Sequence, residues 1–139
     1  MKLLMFQAQH FEFKHPSTDQ TARGETTSET LNASTRETTV VFVHAEAEDL
    51  NRATALLTKA AKNIKWIANK RNLKAVALHS FAHLSESKAP RAFAESFITS
   101  LADRLRGNGY EVTITPFGHS LEWELRVFPE GIAKVFKSL

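Results

Sequence analysis

"TVVFVHA", residues 39–45, decides how the rest of the chain is organised. Its Val and Phe residues leave no apolar–polar alternation, so the stretch predicts a strand covered on both faces, at the centre of a sheet. Downstream, Leu50, Ala53, Leu57, Ala60, Ile64 and Ile67 recur at steps of three and four. That spacing lays one apolar stripe along a helix from about 49 to 70, with Asp49 as its N-cap. "LKAVALHS" (73–80) supplies the next strand. A helix of this length between two strands is a crossover, so 39–45 and 73–80 are expected side by side and parallel.

Working outward, Pro90 falls in the first turn of a second helix whose buried side is Ala94, Phe97, Ile98, Leu101, Ala102 and Leu105, and Gly107 and Gly109 end it. "YEVTITPF" (110–117) and "LEWELRVF" (121–128) alternate apolar with polar residues, and the "GHS" between them is short enough for a hairpin. "EGIAKVFKSL" at the end suits a short strand or a helical turn. Toward the N-terminus, "MKLLMFQ" and "FEFK" predict two strands of another hairpin. From Pro16 to Thr39 almost no large apolar residue occurs, which predicts a mobile polar loop, with at most a little strand at its ends. The fold class is therefore α/β (α+β): one domain over 1–139, a mixed sheet with two main helices.

A chain of 139 residues buries enough surface to need no cross-link, and it has no cysteine, which excludes disulfides, thiolate metal sites and thiol nucleophiles. No run approaches a membrane span or a signal peptide, so a cytoplasmic protein without membrane contact is expected. Eighteen Lys and Arg against fifteen Asp and Glu give a net charge of +3, compatible with a polyanionic partner without requiring one. Lys59, Lys62, Lys65, Lys70, Arg71 and Lys74 gather on the first helix and just past it, either as an ordinary solvated face or as an RNA-facing one.

His44, His79, His83 and His119 fall at or just beyond strand ends, and in an open α/β sheet ligands bind outside the carboxyl ends of parallel strands. Each of them is equally readable as a rim residue satisfied by backbone carbonyls. No His-x-His or His-Glu-x-x-His occurs, so no metal site is expected. "FGHSL" lacks the Gly-x-Ser-x-Gly elbow, and no glycine loop is suited to cradling phosphates; no cofactor is expected.

The "MKLLMFQ" strand, the "FAHLS" (81–85) after the second central strand, the "PRAF" helix start and the "PFG" (116–118) occur in an order and separation that resembles the N-terminal editing domain of archaeal threonyl-tRNA synthetases. The resemblance covers essentially the whole chain and implies a D-aminoacyl-tRNA deacylase-like fold. It also implies a hydrolase that removes L-serine from threonine tRNA by cutting the ester at the 3′-terminal adenosine, with the tRNA's own 2′-hydroxyl assisting. Ser and Thr differ by one methyl, worth only about 1–3 kcal/mol in a single site, so a second hydrolytic sieve has a purpose. The implied partners are threonine tRNA, a threonyl-tRNA synthetase catalytic chain and a second copy in a homodimer.

Carried over residue by residue, the resemblance puts Ala45 on the pocket wall, Ala82 and His83 beside the amino acid or adenosine, and Phe117, Gly118, His119, Ser120 and Leu121 on the facing loop. His83 then positions substrate or water. The chain departs from the family where tyrosine and lysine are usual, reading Ser120 and Leu121, and where an acid is usual, reading Lys134. Lys134 is a candidate catalytic residue that restores the missing ammonium from the opposite side, or a solvated lysine. Removal of D-amino acids from tRNA and tRNA binding without catalysis are the alternative readings.

Overall fold

The computed structural model describes residues 1–15 and 32–139. Strand β1 (Lys2–Lys14) runs antiparallel to β2 (Asn32–His44), from Lys2 opposite His44 to Lys14 opposite Asn32. Helix α1 (Ala53–Asn69) leads to β3 (Ala75–Ser80), parallel to β2 as the apolar stripe predicts. Helix α2 (Arg91–Gly107) leads in turn to β4 (Glu111–Ile114), parallel to β3. Strands β5 (Glu122–Val127) and β6 (Lys134–Ser138) share the other edge of β1, and the sheet order is β4-β3-β2-β1-β5 with β6 beside β1. The final stretch thus contains both a 3-10 turn (Gly131–Ala133) and a strand. The mixed six-stranded sheet with two helices is the expected fold class, D-aminoacyl-tRNA deacylase-like.

Both helices cover one face. There Leu3, Met5, Val41, Val43, Val76 and Leu78 meet Ile64, Ile67, Ile98 and Leu101 in the main core. Among the described residues no helix lies on the other face, where a second cluster of Ala8, Phe11, Phe13, Val40, Phe42 and Ala77 is buried, with Phe6, Phe81, Leu121 and Leu125 packed against it.

Four expectations fail, each for a physical reason. The N-terminal hairpin is one continuous strand: nothing in "QAQHF" supplies a turn, and the apparent break is a slip in alternation. Its register against β2 skips Gln9 and Glu37, Glu37 has φ 47°, and against β5 a bulge falls between Ala8 and His10. Leu3 and Met5 therefore enter the main core, while Phe11 and Phe13, at the same parity, enter the other cluster. The predicted polar loop 16–39 is strand from Asn32 onward, because the burial missing from "NASTRET" is supplied by Phe11 and Phe13 across the ladder; residues 16–31 of that loop lie outside the described residues.

The hairpin of 110–128 is also overturned. The second crossover carries β4 to one edge of the sheet, and residues 115–121, with Phe117 packed on the main core and Leu121 on the second cluster, connect it to β5 at the opposite edge. Finally, Asp49 does not cap α1. A 3-10 turn (Ala47–Asn51) intervenes, Leu50 stays 45% exposed, and Asp49 instead accepts the Glu46 N–H at 2.7 Å. Pro90 stands one residue ahead of α2, at its N-cap.

Candidate functional site

The carboxyl ends of β2, β3 and β4 lie together, and three segments emerge there: Ala45–Glu46, the loop 81–89, and the connection 115–121. The loop 81–89 is tied down by main-chain bonds at both ends, from Phe81 N–H to the Val43 carbonyl and from Ala89 N–H to the Ala45 carbonyl, each 3.0 Å. His44 holds its middle. The ring Nδ1 accepts the N–H groups of Leu84 (2.9 Å) and Ser85 (3.2 Å), so Nε2 carries the hydrogen and donates it to the Ser87 carbonyl at 2.6 Å. His44 is fully buried. It is a rim residue satisfied by backbone and it shapes the loop.

An ionic cluster reinforces this anchor. The Met1 ammonium, without solvent exposure, donates to Glu46 Oε1 (2.6 Å) and Asp49 Oδ1 (2.9 Å), and Ser85 Oγ donates to Glu46 Oε2 (2.8 Å). Burial on its own would raise the Glu46 carboxyl; the bonds from the ammonium and Ser85, with the charges of the ammonium and Lys2, outweigh it and bring the group down to about 2.

His79 is a different case. It faces the second cluster, hydrogen-bonded through Nδ1 to Thr115 Oγ1 at 2.8 Å and edge-on to Phe42 at 5.3 Å, and burial brings its imidazole down to about 4. It joins β3 to the connection after β4. His83 is exposed, its ring 5.0 Å from that of Phe81, and among the described residues no hydrogen-bond partner engages its nitrogens. His119 lies edge-on to His15, ring centroids 5.3 Å apart.

Of the expected site residues, Ala82 and His83 lie on the 81–89 loop, and Phe117, Gly118, His119, Ser120 and Leu121 lie on the connection 115–121. Ala45 belongs to the main core, against which Phe117 also packs. Leu121 packs into the second cluster. Lys134 stands apart. It opposes Phe6 on β6, three ladder spacings, about 14 Å, from β3, and its ammonium donates to the carbonyls of Pro129 (3.1 Å) and Phe128 (3.4 Å). A hollow of about 560 Å³ runs between α2 and the outer edge of β4, with Glu95, Thr99, Thr113, Thr115 and Pro116 in its wall. Phe117 is the one expected site residue that lines it.

Arg91 escaped the sequence reading. Its guanidinium lies 5.5 Å from the centre of the Phe117 ring and closes over Gly118, whose φ is +78°. A Cβ at Gly118 would stand 2.0 Å from an Arg91 terminal nitrogen and push the flexible guanidinium aside, and the positive φ itself favours glycine here. Arg91 also opens α2, whose N-cap, Pro90, offers no side-chain cap to the first N–H groups. The signal was present as "PRAF" facing "PFG", without anything in the spacing to say that the two segments touch.

Among the described residues, His10, Glu12 and Glu124 bring three ligand atoms within 4.8 Å of one another. Sequence spacing could not show this group because Glu124 arrives across the ladder opposite Glu12. It lies on the β1–β5 pair rather than at the rim, and His10 is flanked across the ladder by Arg36 and Arg126, which oppose a bound cation.

A family model described as the archaea-specific editing domain of threonyl-tRNA synthetase matches residues 1–139. The chain belongs to this family. Threonine-tRNA ligase of Methanococcus maripaludis is 30% identical over 118 residues, which cover 85% of this chain and 18% of the relative. The enzyme of the same name from Hyperthermus butylicus is 29% identical over 102 residues, 71% of this chain and 16% of the relative. That of Methanosphaera stadtmanae is 27% identical over 125 residues, 90% and 20%. This editing-domain chain therefore spans a fifth or less of the length of these relatives. A solved structure titled c-Myc DNA Unwinding Element Binding Protein superposes with TM-score 0.68 over 100% of this chain and 99% of its own, at 14% identity, a likeness of fold alone. Among the described residues, no helix is long and apolar enough to cross a membrane.

Proposed function

We propose that this editing domain is a proofreading hydrolase that releases L-serine from mischarged threonine tRNA in the cytoplasm. The observation that carries the reading is the editing-domain family match over residues 1–139. The substrate's 3′ end is received at the rim between the 81–89 loop and the 115–121 connection, with Ala82, Phe117 and Gly118 against the aminoacyl group. In the reaction a water oxygen adds to the ester carbonyl, the bond to the ribose oxygen breaks, and that oxygen takes up the proton the water gives off. The terminal 2′-hydroxyl orients the water, backbone N–H groups bind the developing oxyanion, and His83, whose ring nitrogens have no hydrogen-bond partner among the described residues, positions water or substrate. Arg91 holds the phosphate of the terminal nucleotide. Lys134 is the second candidate catalytic residue, as an ammonium at the carbonyl, and to serve it must leave the Pro129 and Phe128 carbonyls and reach across the sheet from β6.

The test compares release from L-seryl-, L-threonyl- and D-aminoacyl-tRNA. Serine release exceeding threonine release by about tenfold or more, and slowed by a 2′-deoxy terminal adenosine, supports the reading. Preference for D-aminoacyl esters replaces it with a chiral proofreader. A second reading, tRNA binding without catalysis, draws on Leu121: where the family usually has lysine, this side chain packs into an apolar cluster and offers no charge. Tight tRNA binding with no release of serine would establish it. A homodimer through the face of the second cluster, where Trp123 and Phe136 are 43% and 51% exposed, belongs to the same proposal, and sedimentation as a monomer in analytical ultracentrifugation would remove it.

A further inference from the structure

From Leu50 to Ser85 the chain contains no Asp or Glu. Helix α1 therefore carries its lysines without any of the i,i+4 carboxylate partners that normally stabilise an exposed helix face, and Lys59 and Lys62 stand at like-charge i,i+3 spacing. Lys59, Lys62, Trp66 and Lys70 follow one another at steps of three, four and four, so they form a single stripe, and all four are exposed. Among the described residues, none of these three lysines makes an ion pair; the two nearby arginines that do, Arg52 with Asp49 and Arg71 with Glu130, are neutralised from outside the helix.

Trp66 is the second observation. An indole 42% exposed contributes little to the core, and it sits between two ammonium groups, Lys70 at 5.7 Å and Lys137 of β6 at 5.8 Å from its ring. Cations spaced along a helix with a bare aromatic ring among them match a polyanion that also carries flat apolar faces, which is the chemistry of an RNA strand.

Position fits as well. The N-terminal end of α1 lies at the same end of the sheet as the 81–89 loop, and the stripe runs away from it: Lys59 about 9 Å and Lys70 about 25 Å along the axis from Ala53. The geometry points to the Lys59–Lys62–Trp66–Lys70 stripe, with Lys137, as the surface that binds the phosphate backbone of the tRNA acceptor end while its terminal nucleotide occupies the rim. This rests on the proposed action on tRNA, and it adds where the RNA lies.

The experiment measures affinity for uncharged tRNA from 50 to 300 mM KCl, so hydrolysis plays no part in the readout. With Lys59, Lys62 and Lys70 all changed to Glu, the slope of log affinity against log salt should fall by about 2 to 3, at roughly 0.7–0.9 per phosphate contact. Trp66→Ala should weaken binding at fixed salt by about fivefold or more and leave the slope unchanged. Arg36→Glu, on β2, should alter neither. A folded triple variant that keeps the wild-type slope overturns the inference, as does a wild-type chain with no salt-dependent affinity for tRNA. Should the triple variant fail to fold, single Lys→Gln changes serve, each expected to remove about one contact's share of the slope; three unchanged slopes overturn the proposal. Serine release absent while these shifts appear would sink the hydrolase reading and leave the RNA surface standing.

Discussion

His44 and His83 lie at the same end of the same sheet, one at the last residue of β2 and the other just beyond β3, and the structure treats them in opposite ways. His44 has both ring nitrogens spent on main-chain groups of the 84–87 segment, beneath which Glu46, Asp49 and the Met1 ammonium form a buried cluster. His83, on the loop so anchored, has neither nitrogen engaged among the described residues. The difference teaches that one half of the rim is fixed by its polar groups and the other is not: those consumed in fixing the loop leave the ring nitrogens at its tip unengaged among the described residues.

The largest test of that division removes the anchor. Asp49→Ala leaves a buried ammonium with one carboxylate instead of two and strips the Glu46 N–H of its acceptor, and breaking a buried ionic group costs about 3–5 kcal/mol. Urea unfolding should show that loss; a change below about 1 kcal/mol would mean the cluster is solvated and anchors nothing. Acid attacks the same end of the sheet. His79 stays neutral in the folded chain down to about pH 4 but titrates near 6.5 when unfolded. The unfolded state therefore binds more protons in that window, and stability falls as pH drops from about 6.5 to 4, by up to about 1.4 kcal/mol per pH unit. Glu46, ionised down to about pH 2, extends the loss from about pH 4.5 to 2. His79→Gln should flatten the upper window alone.

The two histidines then separate stability from activity. His44→Ala orphans two N–H groups and a carbonyl and should cost about 2–3 kcal/mol, with serine release falling because the loop loosens. His83→Ala should change stability by less than about 0.5 kcal/mol and lower serine release by about 10- to 100-fold. Equal losses of stability in the two variants would erase the division between anchor and tip.

This contrast was not legible in the sequence, where both residues were histidines near strand ends; only the partners supplied by Leu84, Ser85 and Ser87 distinguish them. Periodic elements were legible because their signal is local: the stripe of α1, the buried side of α2, and the parallel placement of β2 and β3 by the crossover rule. What failed was pairing between distant segments. β4 and β5 carry the alternation of a hairpin, yet their partners are β3 and β1 on opposite sides of the sheet, a choice made by the second crossover rather than by the turn. The polar residues 32–38 form strand because Phe11 and Phe13 bury surface on their behalf. The meeting of Arg91 with Gly118 is likewise a product of that topology, while the basic run on α1 was visible from the start and lacked only the knowledge that Lys137 would come to stand beside Trp66.

The smallest expected effect concerns where the sheet changes phase. Glu37 adopts a left-handed backbone, φ 47°, at the level where the β1–β2 register skips a pair. That conformation strains a residue with a Cβ by about 1 kcal/mol, and the extra freedom a glycine has when unfolded takes back part of any relief. Glu37→Gly should therefore leave stability unchanged or raise it by up to about 0.5 kcal/mol. Glu37→Val, β-branched and unsuited to positive φ, should lower it by about 1–2 kcal/mol. Since Phe11 and Phe13 enter the second cluster only through this slip, the valine variant should also disturb that cluster, read as a change in Trp123 fluorescence through its contact with Phe42, 5.4 Å between rings. Equal stability of the Gly and Val variants would show that the left-handed turn is incidental and that the phase change is imposed by the cores on either side.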